Sequence, residues 1–220
     1  MGFQPSERVQ EINAKLQAFM DEHIYPREHE WDEFTQDPVN LWQTPDWFFQ
    51  LREKAKSQGL WNLFLPHEYE PWSPGLSNIE IATIFETMSK VSWAQSVFNC
   101  NAPDRGNMEV LAKYGTPEQQ EQWLHPLLDG KIRSAYAMTE PQVASSDATN
   151  MELEITRDGG EYVLNGRKWW TTGAVNPHCK IMLVMGKSNP ENDRHRQHST
   201  ILVPRDTPGI TLVRTLRVFD

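Results

Sequence analysis

The sequence predicts an α+β fold with segregated layers: an all-α block over residues 1–130, then an all-β block over residues 131–220. Two observations carry that reading. Up to Gly130, apolar residues recur at spacings of three and four behind residues that cap helices. After Lys131 the period shortens to two, and glycine-containing turns separate short alternating runs. The 220 residues are 38% hydrophobic and 23% charged, which suits a packed core.

The elements follow in order. Ser6 caps a first helix carrying Val9, Ile12, Leu16 and Phe19. Thr44 caps a second, with Pro45 in its first turn and Gly59 as its stop. Ser77-Asn78-Ile79-Glu80 has the form of a capping box and opens an apolar helix with Ile81, Ile84, Phe85 and Met88. Trp93 to Phe98 suits a fourth helix, and Asp104 to Tyr114 another, ended by Gly115. Thr116-Pro117-Glu118-Gln119 starts the last, with Trp123, Leu127 and Leu128, closed by Gly130. Proline-rich loops surround Pro66, Pro71 and Pro74.

In the second block, Met151, Leu153 and Ile155 alternate with Glu152, Glu154 and Thr156. Asp158-Gly159-Gly160 turns the chain into Tyr162-Val163-Leu164. Asn165-Gly166, a strong hairpin signal, turns it again into Lys168-Trp169-Trp170-Thr171. Further strands are predicted at Ile181–Met185, Ser199–Val203 and Ile210–Leu216, with an exposed loop over Lys187–His198.

Composition excludes several classes. A formal net charge of -9 leaves no overall basic footprint for nucleic acid. No apolar run approaches the ~20 residues that span a bilayer. Cys100 and Cys179 are too few for a disulfide framework. No signal peptide or transit pattern opens the chain. Gly2 and Ser6 match a myristoylation pattern, but no polybasic patch supports it. No dinucleotide-binding glycine fingerprint or P-loop is present. His195 and His198 sit among Arg194 and Arg196 and read as a solvated loop rather than a metal site. His178 and Cys179 are neighbours on a strand, so their side chains point to opposite faces.

One constellation is more specific. Tyr136-Ala137-Met138-Thr139-Glu140-Pro141 ends a short strand and enters the small-residue loop Val143-Ala144-Ser145-Ser146-Asp147. Asn165-Gly166-Arg167-Lys168-Trp169-Trp170-Thr171-Thr172-Gly173 follows. The first segment offers backbone donors and hydroxyls with little side-chain bulk. The second offers an aromatic wall and two hydroxyls. Together they suit a planar heteroaromatic ring; a tryptophan-rich hairpin beside a capped loop accounts for the same residues.

These segments resemble the paired flavin motifs of the acyl-CoA dehydrogenase family. The resemblance covers nearly the whole chain, including Tyr114-Gly115-Thr116-Pro117-Glu118-Gln119-Gln120 in the helical block. Asn101-Ala102-Pro103-Asp104-Arg105-Gly106-Asn107-Met108-Glu109 and Val143-Ala144-Ser145-Ser146-Asp147-Ala148-Thr149-Asn150 resemble a subgroup associated with longer acyl chains and sometimes fused to kinase-like domains. The resemblance implies an N-terminal helical domain and a middle β-barrel.

It also implies FAD as cofactor, bound by Tyr136, Met138, Thr139, Ser145, Ser146, Trp170, Thr171 and Thr172. Thr139 would meet the pyrimidine edge of the flavin, Trp170 would cover the ring, and the Thr172 hydroxyl would approach N5. Ser146 would also meet the acyl-CoA substrate, and Asn101 and Asp104 would shape its acyl pocket. Three departures stand out: the loop Pro141–Asp147 is one residue longer than usual, Ser145 replaces a glycine, and Gly173 stands where many members have asparagine.

The implied reaction is α,β-dehydrogenation of an acyl-CoA thioester in fatty-acid β-oxidation. Electron-transfer flavoprotein is the implied acceptor, and a homodimer or homotetramer the implied full-length assembly. Location would be cytoplasmic in a bacterium, mitochondrial or peroxisomal in a eukaryote. The family's glutamate base belongs to a C-terminal helical domain, expected beyond Asp220, so no catalytic residue is assigned and this chain alone is expected to be inactive. An acyl-CoA oxidase-like protein, a non-catalytic flavin binder and a cofactor-free interaction module are the alternatives.

Overall fold

The computed structural model describes residues 5–216. The Gly2 position of the myristoylation pattern lies outside them. The chain divides into two compact units, Met1–Gly130 and Lys131–Asp220.

The first unit is helical. Helix α1 (Glu7–Phe19) starts where the Ser6 hydroxyl accepts from Val9 N–H. Its Val9, Leu16 and Phe19 are buried, and it packs on α4 (Asn78–Met88) through Ile81, Ile84 and Met88. The capping box forms as the sequence requires: Ser77 and Glu80 satisfy each other's backbone N–H groups. Between these come α2 (Glu28–Gln36), which the sequence reading misses because it buries no residue, and α3 (Asp46–Ser57). In α3 the cap falls one residue later than expected. Pro45 takes the extended cap conformation itself, and its carbonyl accepts from Phe48 N–H at 3.0 Å.

The predicted helix at Trp93–Phe98 contracts to α5 (Ala94–Val97). Helix α6 spans Asp104–Tyr114 as expected. The last predicted helix is α7 (Pro117–Gln119), a π-helical stretch at Gln120–Leu124, and α8 (His125–Leu128). The wide turn has a cause. Pro126 has no N–H to give the preceding turn, so the ladder loosens ahead of it. The same happens at Met20–Ile24, ahead of Pro26.

The carbonyls at the end of α8 are satisfied by side chains. Trp61 Nε1 and Asn62 Nδ2 donate to Leu128 O at 2.7 and 2.9 Å, and Asn99 Nδ2 donates to Leu127 O at 2.9 Å. Buried Arg52 donates to Gly130 O at 3.3 Å and lies over the Trp61 ring. Cys100 is fully buried, and desolvation pushes its thiol up to about 12.

The second unit is one five-stranded sheet curled as a half-barrel. Its strands are β1 (Arg133–Ala137), β2 (Glu154–Asp158), β3 (Glu161–Asn165), β4 (Cys179–Lys187) and β5 (His198–Pro204). Strand β4 is central, with Ile181 and Leu183 fully buried. Antiparallel β5 pairs along one edge of β4. Parallel β1 pairs along the other edge, ending at Ala137↔Val184, and β2 joins β4 further on, at Glu154↔Lys187. Strand β1 therefore leaves the sheet where β2 enters it, and the loop between them starts and ends at that gap.

Gly159-Gly160 makes the predicted hairpin between β2 and β3. Two predicted strands are absent: residues 168–171 and 210–216 have no regular structure. Asn165-Gly166 fails as a hairpin because a type I′ turn needs positive φ at both residues, and neither has it. The chain instead passes so close to β2's entrance that a Cβ on Gly166 would lie 2.9 Å from Leu153 Cα. No helix among the described residues is long and apolar enough to cross a membrane.

Candidate functional site

The two motif segments of the second unit meet at the gap where β1 ends. Trp169 N–H donates to Thr139 O at 3.0 Å. Lys168 Nζ donates to Met138 O and to Glu140 Oε1, both at 2.7 Å, and contacts Met151 Sδ at 3.6 Å. Residues thirty apart in sequence are thus held backbone to backbone and side chain to backbone.

Glu140 is the hub. It is 2% exposed, and its carboxylate also accepts from Glu152 N–H at 2.7 Å and Leu153 N–H at 2.9 Å. Burial alone would raise its carboxyl, but the Lys168 hydrogen bond and the two backbone donors outweigh it and hold the group below the ordinary carboxylate range. Burial also lowers the Lys168 ammonium, against the pull of Glu140. A cleft of about 470 Å³ opens behind Glu140, lined by Gln142, Glu152, Asn165 and Arg167; Thr139 and Trp170 are not among its walls.

Ser145 is buried, and its hydroxyl accepts from Glu140 N–H at 2.8 Å and donates to Val143 O. It therefore shapes the loop from inside, while Ser146 is exposed. Asp147 caps the following turn through Thr149 N–H and pairs with Arg194 at 2.9 Å. Tyr136 lies on β1, with its hydroxyl 3.7 Å from Met185 Sδ.

Trp170 adopts φ 51°, the left-handed region, and remains 48% exposed beside the Trp169 ring at 5.8 Å. A bulky residue there is strained by about 1–3 kcal/mol, which is characteristic of functional sites. The turn is tied at both ends: Thr172 N–H reaches Trp170 O, Ala174 N–H reaches Thr171 O, and Arg205 Nε donates to Ala174 O at 2.8 Å. Thr171 is half-buried and Thr172 exposed. Gly173 supplies the positive φ of 90° that asparagine accepts less readily.

Asn101 and Asp104 belong to the helical unit. Asp104 is buried in the first turn of α6, and Asn101 is buried just before it, its Oδ1 without a hydrogen-bond partner. Sequence reasoning missed Lys168, Glu140 and Arg205 as site-forming residues. A lysine inside an aromatic run was the available signal for the first; nothing local marks Arg205.

Comparison with known proteins gives concordant matches. The family model described as acyl-CoA dehydrogenase, N-terminal domain, matches residues 6–131, and the one described as acyl-CoA dehydrogenase, middle domain, matches residues 135–219. A Gallus gallus protein named acyl-CoA dehydrogenase family member 11 is 51% identical over 99% of this chain, which spans 28% of that protein. A Mycobacterium tuberculosis relative, named as acyl-CoA dehydrogenase FadE2, is 49% identical over 100% of this chain, which spans 53% of that protein. A Mycobacterium abscessus structure solved under the acyl-CoA dehydrogenase name superposes with a TM-score of 0.91 at 48% identity, over 98% of this chain and 54% of that one. With the two-unit fold and the joined motif segments, these matches show that the chain belongs to the acyl-CoA dehydrogenase family, whose N-terminal and middle domains it spans.

Proposed function

We propose that the second unit binds FAD, with the flavin ring against the junction of Met138–Thr139 and Trp169–Thr172. The observation that carries this is the exposed, left-handed Trp170, held beside Thr139 by the Trp169 N–H···O bond. A fold that keeps a strained indole at its surface, one hydrogen bond from a strand end, suits a stacking ligand better than a core.

The residues fit the group. The Thr139 and Thr172 hydroxyls have no hydrogen bond to protein among the described residues and are free to donate to the ring edge and N5. Tyr136 and Met138 would contribute backbone groups, Trp170 would shield the ring from water, and Thr171 would orient the turn. Ser146 would meet the pyrophosphate and the acyl-CoA; Ser145 would act through the loop it shapes. Bound FAD supplies the hydride acceptor. Asn101 and Asp104 would shape the acyl pocket, as the family resemblance implies.

For the whole protein we propose α,β-dehydrogenation of an acyl-CoA in β-oxidation, with electron-transfer flavoprotein as acceptor and a homo-oligomeric state. Glu140 is not the base. Its carboxylate is buried, accepts three hydrogen bonds and is held ionised by Lys168, so its lone pairs are engaged in joining the two segments. The test is a visible absorption titration of the chain with FAD. A shifted flavin band that saturates supports the reading; an unshifted spectrum at all FAD concentrations overturns it for this chain.

A further inference from the structure

We infer that Lys168, anchored by Glu140, is a positioning residue for the flavin: it fixes the Met138–Thr139 peptide plane and so aims the Thr139 N–H at the ring edge. The inference rests on the proposed FAD site.

A trans peptide is planar, so the C=O and N–H of one unit point in opposite directions. Lys168 Nζ holds Met138 O at 2.7 Å, which turns the Thr139 N–H away from the Lys168 segment. The next plane is held the same way. Trp169 N–H fixes Thr139 O, and the Glu140 N–H, pointing oppositely, meets Ser145 Oγ at 2.8 Å. Among the described residues the Thr139 N–H has no protein acceptor, so it is a backbone donor left over at this junction.

Lys168 cannot swing away. Its side chain is 9% exposed, and Glu140, itself pinned by the N–H groups of Glu152 and Leu153 at β2's entrance, holds it in place. A donor fixed toward the pyrimidine edge stabilises the negative charge that reduction places there. Lys168 therefore acts on the flavin's potential as well as on its affinity. A purely structural lysine would change stability and leave the potential where it was.

The experiment compares the unmodified chain, Lys168→Met and Glu140→Gln by FAD titration and by the midpoint potential of bound flavin against reference dyes. For Lys168→Met the expected result is about a tenfold rise in Kd, the loss of one well-aimed donor, with a negative shift in potential. Glu140→Gln, which keeps the shape but weakens the anchor, shifts both in the same direction by less. If circular dichroism shows Lys168→Met unfolded, Glu140→Gln decides alone. Unchanged Kd and potential in folded variants overturn the inference while leaving the FAD site standing. Failure of the unmodified chain to bind FAD overturns the site and the inference with it.

Discussion

Removing the Glu140 side chain should be among the most damaging single changes in the second unit. In Glu140→Ala, the Lys168 ammonium, 9% exposed, loses its counter-charge, and the N–H groups of Glu152 and Leu153 lose their acceptor. Breaking a buried pair by deleting one partner costs about 3–5 kcal/mol. The orphaned backbone donors cost about 1–3 kcal/mol each when water cannot reach them, and the cleft behind Glu140 lets water offset part of that. The expected loss is therefore about 4–6 kcal/mol, concentrated at the β1 exit and β2 entrance. Urea denaturation followed by circular dichroism gives the total, and hydrogen exchange over residues 131–165 gives its location. Glu140→Leu combined with Lys168→Met should recover much of the stability, because no charge is then left buried. A loss below about 1 kcal/mol in Glu140→Ala would mean that the pair is effectively solvated and does not anchor the junction.

Other outcomes follow from the same geometry. The Glu140 carboxyl is held below its ordinary range, so its stabilising contribution is full above the ordinary glutamate pKa and is lost as pH falls through the lowered one; Glu140→Gln should flatten that acid limb of the stability curve. Trp170→Gly should leave stability unchanged or raise it by up to about 1 kcal/mol by relieving the left-handed strain, while weakening FAD binding, as a paired melt and titration would show. Gly130→Ala should destabilise the helical unit by about 2–4 kcal/mol in denaturation, because φ is +69° and the new Cβ would collide with Arg52 and Trp61. Cys100, buried with its thiol pushed up to about 12, should resist alkylation at pH 8 until the chain unfolds, as mass spectrometry would detect.

The helical unit was legible where local chemistry decides. Ser6, Ser77 and Thr116 cap what their spacing says they cap, because a cap is a contact within four residues. Helix α2 was missed because it buries nothing and so has no apolar stripe to read. The π-helical turns were invisible to periodicity, although Pro26 and Pro126 mark both.

Leading into β2, Met151, Leu153 and Ile155 alternate into the buried interior as predicted, although only Ile155 lies on the strand itself. Asn165-Gly166 misled because turn propensity is weaker than the packing of Gly166 on Leu153. The motif segments were recognisable, yet what joins them was not. Lys168 meets Met138 and Glu140 only because β1 and β2 share one edge of β4, and that long-range pairing leaves no local mark.

In the proposed site, residues 136–147 and 167–174 form one flavin-binding surface. Hydrogen exchange of the chain with and without saturating FAD tests it most directly. Slowed exchange in both segments together, with the Thr139 amide among those protected, is the expected result. Exchange unchanged in both, or slowed only elsewhere in the chain, would contradict it.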